Sequence, residues 1–183
     1  PSIWRVSTYD GDNLPLGQGS AVVVGPSVAV TNCHVLAKAR RVALRREKVS
    51  LDARLQLWDP KRDVCQLHAP GLDAPAVAIA DSAQVVVGQP VYAIGNPRGL
   101  DLTLSAGLVS SLRRNAAGEL VLIQTSAAIS RGSSGGGLFD DRGALVGLTT
   151  LGVRDAQNLN FAIPSNWVRE LPGRHALAAA AAA

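Results

Sequence analysis

The chain has 183 residues, a formal net charge of +4, a pI near 9.6, and 47% hydrophobic residues. That length suits one domain or two small halves sharing an interface, and that composition supports a packed core. No run approaches the roughly 18 consecutive apolar residues of a membrane span. Two cysteines are too few for a disulfide scaffold, and three scattered histidines without a C-x-x-C exclude a structural zinc site, so no metal or cofactor is expected.

Along the chain, short β-type runs alternate with turn signals. "SAVVVG" (Ser20 to Gly25) and "SVAVTN" (Ser27 to Asn32) flank Gly25-Pro26 and predict a hairpin. The basic run "KARRVALRREK" holds Lys38, Arg40, Arg41, Arg45, Arg46 and Lys48, with Val42 and Leu44 alternating inside it. It reads as a solvated strand edge or hairpin. A docking surface for an acidic partner, membrane or nucleic acid is the alternative. The run has no interleaved aromatics, so a dedicated nucleic-acid reader is not expected.

"RLQLW" (Arg54 to Trp58) alternates until Asp59-Pro60, and "DVCQLH" (Asp63 to His68) alternates again. "QVVVGQPVYAIG" (Gln84 to Gly95) places two apolar runs around Gly88. "TLSAGLVSSL", "ELVLIQTS", "ALVGLTTLGV" and "NLNFAIP" complete the strand candidates. The pattern is all-β, a sandwich or a barrel. "PSNWVREL" (Pro164 to Leu171) reads as the one helix, stopped by Pro172-Gly173. A soft boundary falls near Asp81 to Gln84, and no fixed-period repeat is visible. The alanine run Ala178 to Ala183 is far too short to span a membrane. With no Met, the chain reads as a processed or trimmed product, from which any signal peptide would already be gone.

"GSSGGG" (Gly132 to Gly137) places four glycines around two serines. A flexible loop is the plain reading. A turn that brings bare backbone to a ligand is the sharper one. The phosphate-loop lysine is missing, so a serine hydroxyl would be the actor, and it needs a base and an orienting acid. His175 lies beside the alanine run and reads as solvated, and His68 ends a strand as a surface or turn residue. His34 follows "VAVTN" directly, at a strand-to-loop junction where a side chain can point rigidly into a cleft. Among nearby carboxylates, Asp59 fits a turn, and Asp73 and Asp81 sit in Pro/Gly/Ser-rich stretches. Asp63 opens an alternating strand whose one face can bury it. The chain order is then His34, Asp63, Ser134, the order of the all-β triad enzymes.

"TNCHVL", "DPKRDVCQL", "VGQPVYAIGNPRGL", "TSAAISRGSSGGGLF" and "NLNFAIPSNWV" together resemble the trypsin-like serine proteases of the HtrA (Deg) type, from Gly17 to Val168. The resemblance implies two six-stranded Greek-key β-barrels with the active site in the cleft between them and a short C-terminal helix. Residues 1–82 would form the barrel with His34 and Asp63, 83–172 the barrel with Ser134 plus the helix, and 173–183 an Ala-rich tail. It implies a serine endopeptidase with His34 as general base, Asp63 as orienting acid and Ser134 as nucleophile. The backbone N–H groups of Gly132, Ser133 and Ser134 would form the oxyanion hole. "TTLG" resembles the strand that pairs with substrate, giving Thr150, Leu151 and Gly152 as substrate contacts. Ala128 and Ile129 occupy the stretch of the S1 pocket. No aspartate lies there, and Ile129 favours small or medium aliphatic P1 residues.

Departures from the family pattern accompany the match. Ser133 stands where trypsin-like digestive enzymes carry Asp and HtrA-type enzymes usually carry Asn, so no carboxylate is there to pair with a buried N-terminal amine and activation by N-terminal cleavage is not expected. Ser126 stands where Asp is usual. No PDZ domain follows residue 172, and the trimer-supporting N-terminal arm is absent or very short, which leaves oligomeric state open. The resemblance implies protein or peptide substrates and a periplasmic or secreted location. A catalytically idle protease fold that binds peptides or acts as a chaperone module is the alternative, and a basic anion-binding domain a more distant one. A histidine base must be neutral to take a proton, so activity is expected to fall as pH drops through about 6 to 7. Cys33 and Cys65 would lie near the site. The expectation is two buried free thiols, with a disulfide between base and acid strands as the alternative.

Overall fold

The computed structural model describes residues 1–96, 102–150 and 159–181. Its strands form two closed antiparallel barrels. The first contains β1 (Ile3–Tyr9), β2 (Pro15–Gly25), β3 (Val28–Thr31), β4 (Arg41–Arg46), β5 (Val49–Asp59) and β6 (Val64–His68), in the order β1-β2-β3-β6-β5-β4. The second contains β7 (Pro90–Gly95), β8 (Thr103–Arg114), β9 (Leu120–Thr125), β10 (Gly137–Phe139), β11 (Leu145–Thr150) and β12 (Asn160–Pro164), in the order β7-β8-β9-β12-β11-β10. Both follow one path: three consecutive strands, then a fourth that returns beside the first, the Greek-key arrangement. A helix, α1 (Asn166–Ala181), ends the described chain.

The unbroken apolar run of β2 has a direct cause. Ala21 and Val23 point into the first barrel with Trp4, Val6, Leu44 and Leu67. Val22 points the other way, into a cluster with Val30, Val64, Leu145, Leu148 and Ile163 that joins the two barrels. A strand buried on both faces has no polar face to show. The connection from β6 to β7 crosses this same seam. Val77 N–H donates to Val23 C=O at 3.0 Å, and Leu145 N–H donates to Ala78 C=O at 2.8 Å.

Several local expectations are corrected. The basic run forms β4, which hydrogen-bonds to β1 on one side and β5 on the other, so it is half of a hairpin and not an edge. "QVVV" is not a strand: Ser82–Gln84 is a short 3-10 turn, Val85 is buried and Val86 and Val87 are exposed. Cys33 and Cys65 are not free thiols but form a disulfide, with Cα atoms 5.0 Å apart. The pairing of Thr31 with Cys65 in the β3–β6 ladder places Cys65 beside the end of β3, within reach of Cys33 two residues further on. The helix does not stop at Pro172-Gly173 but continues for 16 residues in all, with Pro172 inside it. Proline removes one hydrogen bond there. Contacts on both sides hold the helix in place: Val168 and Leu171 are buried, Arg174 Nε donates to Asp59 Oδ2 at 2.5 Å, and His175 stacks edge-on against Trp58 at 4.3 Å between centroids. His175 is therefore a packed residue and not a solvated one.

Candidate active site

His34 lies in the 3-10 turn Cys33–Leu36 that follows β3. Asp63 lies in the turn just before β6, not on the strand itself, and its backbone is left-handed with φ +57°. Aspartate tolerates that region better than most residues. The turn is fastened at both ends. Asp63 N–H donates to Pro60 C=O at 3.2 Å, and Asp63 C=O accepts from Cys33 N–H at 3.3 Å and Asn32 Nδ2 at 3.0 Å. Its carboxylate then grips His34 twice. Oδ1 accepts the His34 backbone N–H at 2.8 Å, and Oδ2 lies 2.6 Å from Nδ1. The pair is half-open to solvent, with side-chain exposures of 39% for His34 and 28% for Asp63, so Asp63 is not buried as its strand position had implied. With Nδ1 committed, Nε2 is the nitrogen left to exchange a proton.

Ser134 is buried, and its Oγ has no hydrogen-bond partner among the described residues. The bond to His34 is thus not made in this structure. Such bonds are commonly long or unformed without substrate. The serine loop is nevertheless pressed onto β2 and onto the end of β3, which leads to His34. Ser20 N–H donates to Ser134 C=O at 2.8 Å. A Cβ on Gly135, where φ is +85°, would lie 2.1 Å from Ser20 C=O, 2.3 Å from Thr31 Oγ1 and 3.2 Å from Asn32 N. Only glycine satisfies both that φ and that contact. Gly136 would likewise meet Ile94 C=O at 2.4 Å. Gly135 and Gly136 of "GSSGGG" therefore serve close backbone approach, not flexibility.

The three expected oxyanion donors are not equivalent. Ser133 N–H donates to Ser130 C=O at 3.0 Å and is unavailable, which corrects its assignment. Gly132 N–H and Ser134 N–H have no partner among the described residues. Gly132 and Ser134 N–H are therefore the two of the three that remain free to donate. Gly132 itself has φ +90°.

Ala128 is exposed and Ile129 half-buried against the core of the second barrel. Their N–H groups are fixed by Ser105 Oγ at 2.8 Å and Asn160 Oδ1 at 3.2 Å. Thr150 ends β11, and Leu151 and Gly152 lie outside the described residues. Ser126 Oγ accepts from Leu108 N–H at 3.0 Å. The other sequence candidates lie elsewhere. His68 ends β6 at the far end from Asp63, and Asp73 is exposed. Asp81 caps the 3-10 turn and is held below the usual carboxylate range by hydrogen bonds from Asn166 and the Ala83 N–H. Asp59 is the buried carboxylate. Burial raises its pKa, but the hydrogen bonds from Arg174 and the Arg62 N–H, with both guanidinium charges, bring it below the ordinary value.

Among the described residues no group of three His, Cys, Asp or Glu could hold a metal ion, and no helix is long and apolar enough to cross a membrane. Ser20, Asn32, Thr149 and Asn160 escaped the sequence reading. Their one signal is a short polar residue inside or next to an apolar run, as in "GSAVVV".

Two closed barrels, a histidine held by an aspartate and a serine in a glycine turn define a protein of the trypsin-like class. The trypsin-like peptidase family profile matches residues 19–148. The chain belongs to this family, and within it the match is to the HtrA/Deg type. The Escherichia coli periplasmic pH-dependent serine endoprotease DegQ is 36% identical over 181 residues, covering 89% of this chain and 40% of that protein. Protease Do-like 1 of Arabidopsis thaliana, a chloroplastic protein, is 41% identical over 157 residues, covering 78% of this chain and 35% of that one. Among solved structures, the HtrA-type protease AlgW with a tripeptide superposes with TM-score 0.83 at 32% identity, covering 93% of this chain and 58% of AlgW. The chain thus spans 35% and 40% of the length of these two curated relatives.

Proposed function

We propose that this chain is a serine endopeptidase that cleaves peptide bonds through an acyl-enzyme. Ser134 Oγ attacks the scissile carbonyl carbon as His34 Nε2 takes its proton, and the carbonyl electron pair moves to oxygen. Gly132 and Ser134 N–H donate to that oxygen. Collapse expels the amine, which takes the proton from His34. Water, deprotonated by the same nitrogen, then releases the acid and restores Ser134. Residues 1–82 would supply base and acid, and residues 83–172 the nucleophile. Substrate would lie along Thr150, with P1 against Ala128 and Ile129. The periplasmic relatives favour an extracytoplasmic location.

The observation that carries this reading is the double grip of Asp63 on His34. A carboxylate that binds both the backbone and Nδ1 of one histidine fixes its tautomer and its direction, as a proton-transfer base requires. The alternative is an idle peptide-binding module, and the unmade Ser134–His34 bond does not decide between the two, because such bonds commonly form only with substrate. Fluorophosphonate labelling separates the two: modification at Ser134 supports the enzyme. Ser134→Ala is expected to lower kcat on the order of 10⁶-fold, and Ser133→Ala far less. If Ser133→Ala were the inert variant, the nucleophile would be misassigned.

A further inference from the structure

Ser20 belongs to the first barrel, yet it makes every one of its polar contacts with segments that meet at the site. It is fully buried. Its Oγ donates to Gly132 C=O at 2.7 Å and accepts Asn96 N–H at 2.9 Å. Its backbone N–H donates to Ser134 C=O at 2.8 Å, and its C=O accepts Thr31 Oγ1 at 2.7 Å. A hydroxyl has one proton to give, and this one gives it across 112 residues of sequence to the serine loop of the other barrel.

The consequences follow from peptide planarity. The 132–133 peptide is held at both ends, its C=O by Ser20 Oγ and its N–H by Ser130 C=O. The 133–134 peptide is held at its C=O by Thr149 Oγ1 at 2.6 Å and Gly136 N–H at 2.9 Å, which aims Ser134 N–H the opposite way. The 131–132 peptide carries the Gly132 N–H. Its direction is set through φ of Gly132, +90°, from the plane that Ser20 holds. Glycine has no Cβ to restrict its φ and ψ, so the 132–133 plane that Ser20 holds is one of the fixed references from which the Gly132 donor takes its direction.

We infer that Ser20 is a positioning residue: its hydroxyl orients the Gly132 N–H of the oxyanion hole, and through it the first barrel sets the donor geometry of the second. The inference rests on the reading of Ser134 as nucleophile. Without the hydroxyl, Gly132 C=O and Asn96 N–H both lose a buried partner, and the loop rotates to recover one. Substrate binding along Thr150 is untouched, so the defect falls on the transition state.

The test is a steady-state comparison of Ser20→Ala and Ser20→Cys with the wild type, on a fluorogenic peptide selected from a random library. Cysteine keeps the side-chain shape but donates weakly, so it decides the matter where alanine fails to fold. Both variants are expected to lose about 10- to 100-fold in kcat, with KM changed by less than about threefold. The affinity of a peptide aldehyde, whose hemiacetal oxygen would occupy the hole, is expected to weaken by a similar factor. A folded variant with near wild-type kcat, or a loss confined to KM, would overturn the inference. Ser134→Ala is assayed beside them. If it stays active, the nucleophile reading falls and takes this inference with it. If it is inert while Ser20→Ala is fully active, this inference falls alone.

Discussion

Replacing both Cys33 and Cys65 with alanine is expected to cost stability and leave catalysis nearly intact. The bridge closes a loop with a sequence separation of 32 residues. Chain-entropy bookkeeping for a loop of that size gives about 12 cal/mol/K, or about 3.7 kcal/mol at 25 °C. For a domain of this length, each kcal/mol moves Tm by about 2–4 °C, so the variant is expected to melt about 7–15 °C lower. The native geometry does not depend on the bridge, because β3 and β6 already pair and Thr31 already faces Cys65. The grip of Asp63 on His34 is likewise made by hydrogen bonds from Asn32, Cys33 N–H and His34 itself. The restriction therefore acts chiefly on the unfolded chain, and kcat is expected to stay within about threefold. Urea unfolding of the wild type with and without reductant, beside the double variant, measures the cost. Alkylation of the denatured chain without reductant checks the bridge: no labelled cysteine is expected. Two labelled cysteines, or a cost below about 1 kcal/mol, would refute the reasoning, as would a large fall in kcat with stability unchanged.

Asp59→Asn is expected to destabilise by about 1–2 kcal/mol at pH 7, a modest figure because Arg174 is 41% exposed and partly screened. Asp59 has a lowered folded-state pKa, so its contribution is present above the unfolded carboxylate value and is lost as pH falls through the folded one. The difference between variant and wild type in urea midpoints is expected to shrink towards zero as pH falls below the ordinary carboxylate range, and a gap that widened on acidification would contradict the sign. In a cleavage-site profile, Val, Ala, Ile and Leu are expected at P1. Lys or Arg would leave a cation without a counter-charge beside Ala128 and Ile129, at a cost of several kcal/mol. Efficient cleavage after Lys or Arg would refute that pocket assignment.

Much of the fold was legible because its causes are local. Alternating or doubly apolar runs of four to eight residues with Gly/Pro punctuation specify strands one at a time, and β2, β3, β6, β8, β9, β11 and β12 all fall where such runs predict them. β10 is a three-residue strand, Gly137–Phe139, and carries too short a pattern to be read. The repeated barrel path could not be read from residue patterns, because topology requires only strand lengths and turns, and it came from the family resemblance, which the two closed six-stranded barrels bear out. Of the site, the candidates His34, Asp63 and Ser134 stood out by residue type, order and motif.

Other features belonged to the tertiary structure alone, because each depends on a distance between segments remote in sequence. Whether Cys33 and Cys65 bridge depends on the β3–β6 register, which brings their Cα atoms to 5.0 Å. Whether the helix survives Pro172 depends on Asp59 and Trp58, more than a hundred residues away in sequence from Arg174 and His175. Ser20 looks like any strand serine until the second barrel closes over it, and then its buried hydroxyl has one acceptor for its single proton, Gly132 C=O.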